Sequence, residues 1–397
     1  MRLLNTKTYR ATRYRICAQD HRKRGQVAGP GHRKIIKACD FARSRKAKWI
    51  WIDTCCIDKK SSQELSEAIN SMYDWYKGAA ECYAYLADVP ATRGRWTDEI
   101  LSDFKRSVWF TRGWTLQELI APLFVVFCDS AWEIIGVKES ANNILLSQPG
   151  SIGPLGTLNA VLSQITGIPE LVLGDATERS RYSVAQKMNW AADGQNTRAE
   201  DTAYCLLGIF SINMPLLYGE REKAFVRLQR EIMNSTLDES LLAWRTEEAY
   251  DLVPSPAFDS LTSNKRYLAL LATSPAAFKH CQNVSRHRIG IAGAPRFLLA
   301  AAGLIQFCPD ERSMIYQIEK KTYAIVLGCT YRTPSTNSDE WERDACCLVV
   351  SAVACGHLRR VHLAGSVQDN PLLFPKITPT HTMRLYLHSV EKDADQC

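Results

Sequence analysis

Apolar and polar positions follow two rhythms along this chain. In residues 34–45, Ile35, Ile36, Cys39 and Phe41-Ala42 recur at helical spacing, and the apolar run Trp49-Ile50-Trp51-Ile52-Asp53 then reads as a buried strand. Ser61-x-x-Glu64 has the form of a capping box. It opens a helix with the stripe Leu65, Ile69, Met72, Tyr73 and Tyr76, which Gly78 ends. Residues 82–86 form the next strand, closed by Asp88 and Pro90; a helix at 111–120, Pro122 and a strand at 123–128 follow. Strands alternating with helices predict a parallel sheet covered by helices on both faces, with Trp49, Ile52, Leu86, Trp114 and Leu119 inside. In such sheets ligands bind beyond the carboxyl ends of strands, here near Asp53 and Asp88.

The second rhythm starts after a stretch, 130–180, that is richer in Gly, Pro and Ser. Its Gly150-x-x-Gly153-x-x-Gly156 spacing lacks the Lys-Ser/Thr of a phosphate loop, so an ordinary loop is expected. Residues 183–192, 199–210 and 220–234 read as three helices, the last with Ala224, Phe225, Leu228 and Ile232 on one face. Beyond about residue 250, short β-type runs at 323–329, 348–354 and 383–388 predict a β-rich carboxy-terminal domain. The expected division is a basic segment at 1–30, an α/β core at 31–135, a helical extension at 136–245 and the β-rich domain at 250–397.

Composition narrows the class. With 397 residues, 46% of them hydrophobic and 23% charged, the chain has ample material for a core. Its longest apolar runs, 297–305 and 346–354, fall short of the roughly 18 residues a membrane span requires. No signal-peptide pattern opens the chain, so a cytoplasmic protein is expected. Residues 1–48 hold 15 basic and 2 acidic side chains, whereas the remainder holds 34 basic and 40 acidic ones. The basic excess therefore stops at residue 48, and with only Tyr9 and Tyr14 as aromatics it reads as a solvated arm; nucleic acid is not expected as a partner.

The 14 cysteines include no C-x-x-C pair, which excludes zinc-ribbon and thioredoxin-type sites and leaves small buried hydrophobes. Cys55-Cys56 and Cys346-Cys347 are adjacent pairs inside strand-like runs. All 8 histidines lie outside residues 49–279, so neither a Ser-His-Asp nor a Cys-His machine fits the α/β core, and no metal or cofactor is expected there. An acid, base or charge stabiliser in that core must be a carboxylate or a thiol. Glu118 stands out: it follows Trp114 by four residues, so a helix puts indole and carboxylate on one face, and a large ring beside an acid raises its pKa.

The segments Trp51-Ile52-Asp53-Thr54-Cys55-Cys56-Ile57-Asp58-Lys59 and Trp109-Phe110-Thr111-Arg112-Gly113-Trp114-Thr115-Leu116-Gln117-Glu118-Leu119-Ile120-Ala121-Pro122 resemble two motifs of the fungal heterokaryon-incompatibility (HET) domain. The likeness continues through Ala185-Gln186-Lys187-Met188-Asn189-Trp190-Ala191, through residues 200–210 and through Asn213-Met214-Pro215-Leu216-Leu217-Tyr218-Gly219-Glu220, which are similar to the helical extension that follows that domain. Together these cover roughly residues 31–245. The family's first motif, Tyr-x-x-Leu-Ser-His-x-Trp-Gly, has no counterpart, and the basic stretch 10–30 stands in its place.

The resemblance implies a TIR-like, flavodoxin-like parallel sheet and a role in allorecognition and programmed cell death. It also implies partners among other incompatibility proteins or through self-association. In NAD-cleaving TIR domains a catalytic glutamate sits in a Trp-Cys-x-x-Glu-Leu pattern, which Trp114-Thr115-Leu116-Gln117-Glu118-Leu119 resembles. That makes Glu118 the candidate catalytic residue, NAD the candidate substrate, and Asp53, Cys56, Asp58, Trp109, Arg112 and Trp114 the candidate substrate contacts. The absent first motif keeps a second class open, a non-catalytic interaction module that regulates intact relatives.

Overall fold

A computed structural model of the chain describes residues 1–9, 29–93, 97–140, 153–244 and 270–286. It also describes the strands at 297–299, 304–307, 315–319, 322–334, 341–352, 357–364, 376–377 and 385–388. Two compact units result, Met1–Trp109 with Ala121–Ala160, and Phe110–Ile120 with Val161–Cys397.

The first unit opens with β1 (Leu4–Asn5), α1 (Pro30–Ser44), β2 (Trp49–Ile50), α2 (Asp53–Cys56) and α3 (Ser62–Lys77). β3 (Cys82–Tyr85) and α4 (Asp98–Lys105) follow. α5 (Thr115–Ile120) lies in the excursion to the second unit, after which β4 (Phe124–Cys128) and β5 (Ile134–Glu139) complete a three-stranded sheet. β3 and β4 pair in parallel, Cys82 opposite Val125 and Tyr85 opposite Cys128, while β5 runs antiparallel to β4. All five residues of β4 are buried, as a central strand covered on both faces requires. Side chains of a strand alternate between faces. Phe124, Val126 and Cys128 accordingly share a cluster with Phe41 of α1, Tyr83 and Trp132, whereas Phe127 meets the edges of Phe104 of α4 and Trp109 at 5.6 and 5.5 Å.

Local chemistry sets the helix ends. Ser61 Oγ accepts the Glu64 amide at 3.2 Å, and Ala68, Ile69, Met72 and Tyr73 form the buried face of α3. Only half of the expected box forms: the Glu64 carboxylate accepts the Asp58 amide at 3.0 Å and pairs with Arg2 rather than turning back to Ser61.

Three expectations are corrected in this unit. The run at 49–53 is extended only at Trp49 and Ile50, which pair antiparallel with Asn5 and Leu4, and it does not join β3 and β4. Leu4, Cys39 and Cys56 form a separate small core there, and Asp53 starts a helical turn instead of ending a strand. Trp49 is 40% exposed with the Lys48 ammonium 6.0 Å from its ring, and Ile52 and Trp114 are half-buried, while Leu86 and Leu119 are buried as expected. Cys55 and Cys56 therefore sit in a helical turn, not on opposite faces of a strand. Finally, the segment expected to begin the helical extension at 136 lies in β5. Gly153 (φ 73°) packs on it so closely that a Cβ would lie 2.8 Å from the Ile134 carbonyl oxygen, which gives the glycine spacing a packing role; Gly150 falls outside the described residues.

The second unit carries α6 (Asn159–Thr166, from Val161), α7 (Glu170–Gly174), α8 (Val184–Trp190), α9 (Asp201–Tyr204), α10 (Leu207–Phe210) and α11 (Lys223–Ser235). α8 has a full capping box between Ser183 and Gln186. Ser183 Oγ also donates to the Val284 carbonyl at 2.6 Å, and Gln186 Nε2 to that of Gln282 at 2.9 Å, which fixes β6 (Val284–Arg286) beside the helix. The run read as one helix at 199–210 is two, α9 and α10, and α10 ends at Ser211 in the left-handed region (φ 57°). Strands β7 (Phe297–Leu299), β8 (Leu304–Phe307), β9 (Ile315–Glu319), β10 (Thr322–Pro334), β11 (Trp341–Ala352), β12 (His357–Ala364), β13 (Lys376–Ile377) and β14 (Leu385–His388) join β6 in one sheet. Its order is β13-β9-β10-β11-β12-β14-β8-β7, with β6 alongside β10, and β12–β14 is its parallel pair.

Candidate functional site

The seven residues proposed from the sequence fall into two groups, one in each unit. Asp53, Cys56, Asp58 and Trp109 belong to the first. Cys56 is core: its Sγ accepts the Ile52 amide at 3.4 Å, and it packs on Leu4 and Cys39, whose thiol burial pushes up to about 11. Trp109 is buried against Phe127, and the turn leading to it is held by Asp88, which accepts Ser107 Oγ and the Val108 amide, both at 2.8 Å. Asp53 is exposed at the first position of α2. Asp58 caps its own turn by accepting the Lys60 amide at 3.0 Å and lies 3.9 Å from Arg2. Of this group, Asp53 and Asp58 present charge toward solvent, and Cys56 and Trp109 are framework.

Arg112, Trp114 and Glu118 belong to the second unit, in the segment of α5. The backbone before the helix is paired to residue 195: the Gln195 amide donates to Thr111 O at 2.6 Å and the Gly113 amide to Gln195 O at 3.0 Å. The approach is close: a Cβ at Gly113 would stand 2.4 Å from Asn196 Nδ2, so the Asn196 side chain would have to shift to admit one. Thr115 Oγ1 donates back to the Arg112 carbonyl at 2.7 Å and tightens the turn. Across residues 113–120 every position is buried except Trp114 and Glu118. These two are four apart, so the partly exposed stripe of α5 consists of one indole and one carboxylate. Arg112 is exposed beside them in sequence.

Three carboxylates of the family-like stretch 200–220 are held by hydrogen bonds. Glu200 accepts the amides of Gly219 at 2.7 Å and Arg221 at 3.1 Å, and these bonds hold its carboxyl below the usual range. Asp201 accepts Tyr218 Oη at 3.0 Å, while Arg198 lies 4.6 Å from the Tyr218 ring. Glu220 accepts Tyr204 Oη at 3.0 Å and pairs with Arg227. The segments 200–205 and 217–221 thus form one polar clasp on α11, a structural device in which two carboxylates close on tyrosines and one on a loop.

Sequence reasoning passed over Lys138, which alternation in β5 does not mark. It is about 1% exposed, donates to the Pro122 carbonyl at the return from α5, and burial lowers its pKa to about 7. Among the described residues no group of three or more His, Cys, Asp or Glu is arranged to hold a metal, and no helix is long and apolar enough to cross a membrane.

Comparison with known proteins places these segments. Residues 19–103 match the family model described as heterokaryon incompatibility protein (HET), and residues 223–291 match a domain of unknown function, DUF8212. Over 211 residues the chain is 44% identical to vegetative incompatibility protein HET-E-1 of Podospora anserina, a match covering 52% of this chain and 14% of that protein. The chain thus spans about a seventh of the length of this relative. No solved structure matches. The motifs around Asp53 fall within the match over residues 19–103, so this part of the chain is similar to the heterokaryon-incompatibility (HET) family.

Proposed function

We propose that the protein executes a cell-death response in vegetative incompatibility, and that Trp114 and Glu118 form the reactive face of a domain that cleaves NAD. The likeness to an incompatibility protein supports the biological role. The observation that carries the chemistry is the single partly exposed stripe of α5, Trp114 and Glu118, on a segment whose other side chains are buried. The parallel pair β3–β4, with α1 on one face and α4 on the other, supports a TIR-like core.

The proposed reaction breaks the bond between the ribose carbon and the nicotinamide nitrogen. The bonding electron pair leaves with nicotinamide, the ribose passes through an oxocarbenium-like state, and water supplies the oxygen that replaces the base with release of a proton. A fixed carboxylate stabilises the positive charge as it develops, which is the role assigned to Glu118. Trp114 offers a flat surface for the departing ring or the adenine. Arg112, next to this stripe in the chain, is the proposed contact for phosphate; partners among other incompatibility proteins, and a cytoplasmic site of action, belong to the same proposal.

The test is Glu118→Gln, which removes the charge and keeps the shape. The variant should lose NAD consumption in purified form and toxicity on overexpression, with a stability change within about 1 kcal/mol. Undiminished NAD consumption by the variant refutes the assignment. A specific observation also favours the second reading, a non-catalytic module: β2 pairs with β1 and not with the β3–β4–β5 sheet, and the family's first motif has no counterpart at residues 10–30. Toxicity that survives in Glu118→Gln with NAD levels unchanged selects that module.

A further inference from the structure

Three thiols of the first unit meet in the small core that Leu4 forms with α1 and α2. Cys39 of α1 and Cys56 of α2 are buried there, and Cys55 packs against the same cluster. All three are free thiols. Their surroundings differ. Cys56 Sγ accepts the Ile52 amide at 3.4 Å, and it also accepts the Leu4 amide and the Cys55 thiol, so three donors converge on one sulfur. Cys55 Sγ lies 3.7 Å from the Ile52 carbonyl oxygen, and the residue is half-buried, following the exposed Asp53 and Thr54 in the chain.

A sulfur that accepts two backbone amides and a thiol is set up as a thiolate, because each of these bonds favours the charged form. Cys56 is accordingly held below its ordinary value, first by the bond from Cys55, with the Ile52 and Leu4 amides adding to it and burial and Asp53 opposing. Cys55 moves the other way, first because it supplies the proton of that bond and then through burial. In Cys39 burial dominates, and the thiol is pushed up to about 11. The core thus holds one sulfur with nucleophilic character and, next to it in the chain, a thiol that carries the proton.

We propose that Cys55 and Cys56 form a redox-sensitive dithiol, a modification site for hydrogen peroxide that is separate from the α5 face. The Cys56 sulfur attacks one peroxide oxygen: the S–O bond forms, the O–O bond breaks, and its electron pair leaves with hydroxide. Sulfur is oxidised to the sulfenic acid and the peroxide is reduced. The Cys55 sulfur then attacks Cys56 and gives up its proton; the S–S bond forms and the S–O bond breaks, releasing water. Two thiols and one hydrogen peroxide become one disulfide and two waters, the hydroxide taking up the proton that Cys56 lost at the start. A disulfide between chain neighbours closes a small ring that helical backbone does not fit, so α2 opens as it forms, and so strained a bond is readily reduced again. Oxidation also withdraws the acceptor that holds the Leu4 and Ile52 amides, which loosens β1 from α2.

The test treats the full, reduced chain with hydrogen peroxide, blocks the remaining thiols by alkylation and maps the cysteines by mass spectrometry. The peptide holding Cys55 and Cys56 should emerge unalkylated and lighter by two hydrogens, and dithiothreitol should reverse the change. Amide exchange at Leu4 and Ile52 should quicken on oxidation and slow again on reduction. In Cys55→Ser the sulfenic acid on Cys56 has lost the thiol it closes on, so dimedone should trap it there. Cys56→Ser should slow the oxidation of Cys55 at least about tenfold, because the remaining thiol has lost its thiolate neighbour. Cys128→Ser, which removes a buried thiol of β4, should oxidise at Cys55 and Cys56 as the wild type does. If Cys56→Ser fails to fold, Cys55→Ser, at a half-buried position, decides alone: a dimedone adduct on Cys56 supports the proposal, and its absence overturns it. A disulfide from Cys39 to Cys56, or a Cys55–Cys56 pair no more reactive than Cys128, overturns it as well. NAD consumption is not used as a readout, so the outcome is independent of Glu118.

Discussion

Replacing Lys138 by Met should stabilise the protein near neutral pH and remove a pH dependence that the wild type carries. The amine titrates at 10.5 when unfolded and at about 7 when folded, because burial in β5 takes the charge out of water. Between those values the unfolded chain binds a proton that the folded chain has released, so unfolding takes up a proton and stability rises with pH, by about 1.4 kcal/mol per unit. Below pH 7 both states are protonated and the full penalty is present; above 10.5 neither is, and it vanishes. Over the whole window the difference is about 5 kcal/mol. Met keeps the length and apolar stem but leaves the Pro122 carbonyl without that donor, which costs about 1 to 3 kcal/mol. Lys138→Met should therefore be about 2 to 4 kcal/mol more stable than the wild type at pH 7, with the advantage shrinking to nothing by about pH 10. Urea unfolding of both proteins at several pH values measures this directly, since groups common to both cancel in the difference. Parallel stability curves, or a variant less stable at pH 7, would show that Lys138 stays charged with adequate partners and would refute the reasoning.

Two further perturbations test the framework. Gly153→Ala adds a Cβ 2.8 Å from backbone atoms of Ile134 and Ile135 at a φ of 73°, and the combined clash and left-handed strain should lower stability by about 2 to 4 kcal/mol in denaturant melting; a loss under about 1 kcal/mol would mean that the loop shifts freely off β5. Glu200→Gln should cost about 1 to 2 kcal/mol at pH 7 by weakening the bonds from the Gly219 and Arg221 amides. Because the folded carboxyl titrates below its ordinary value, the wild type's advantage is present above the unfolded pKa and is lost as pH falls through the folded one, so the two proteins should converge in acid.

What the sequence makes legible depends on how local the cause is. α3 and α8 could be read because their caps and apolar stripes lie within one or two turns of each other, α11 because its apolar stripe is local, and β4 because a strand covered on both faces is apolar throughout. β5 could not be: Gly136 and Lys138 break its pattern, and both are explained only by distant partners, the Leu158 side chain that a Cβ at Gly136 would meet at 2.8 Å and the Pro122 carbonyl that Lys138 reaches. The strand expected at 49–53 failed for a related reason. Its residues Ile50, Trp51 and Ile52 do pack on a core, but it is the small cluster with Leu4 and Cys39, and the partner that defines the run is β1, about 45 residues earlier in the register of antiparallel pairs. Trp114 and Glu118 were legible because a spacing of four needs only a helix.

The same contrast separates residues that resemble chemistry from residues placed to perform it. The family-like segments hold acids in abundance, and Glu200, Asp201 and Glu220 would each pass as a general acid on sequence alone. Their oxygens close on the loop at 219–221 and on two tyrosine hydroxyls, so the density of motif residues at 200–220 measures how firmly the clasp on α11 is built. Cys56 and Trp109 divide the same way, since one fills a core of Leu4 and Cys39 and the other the face of Phe127. Glu118 is set apart by its exposure. It and Trp114 are the positions in a buried segment that reach solvent, and the backbone beneath them is pinned to residue 195 by two bonds that do not depend on either side chain. An arrangement in which the frame is independent of the two groups it presents is what positioning for reaction requires. It is also why exchanging Glu118 for Gln should change the chemistry without changing the fold.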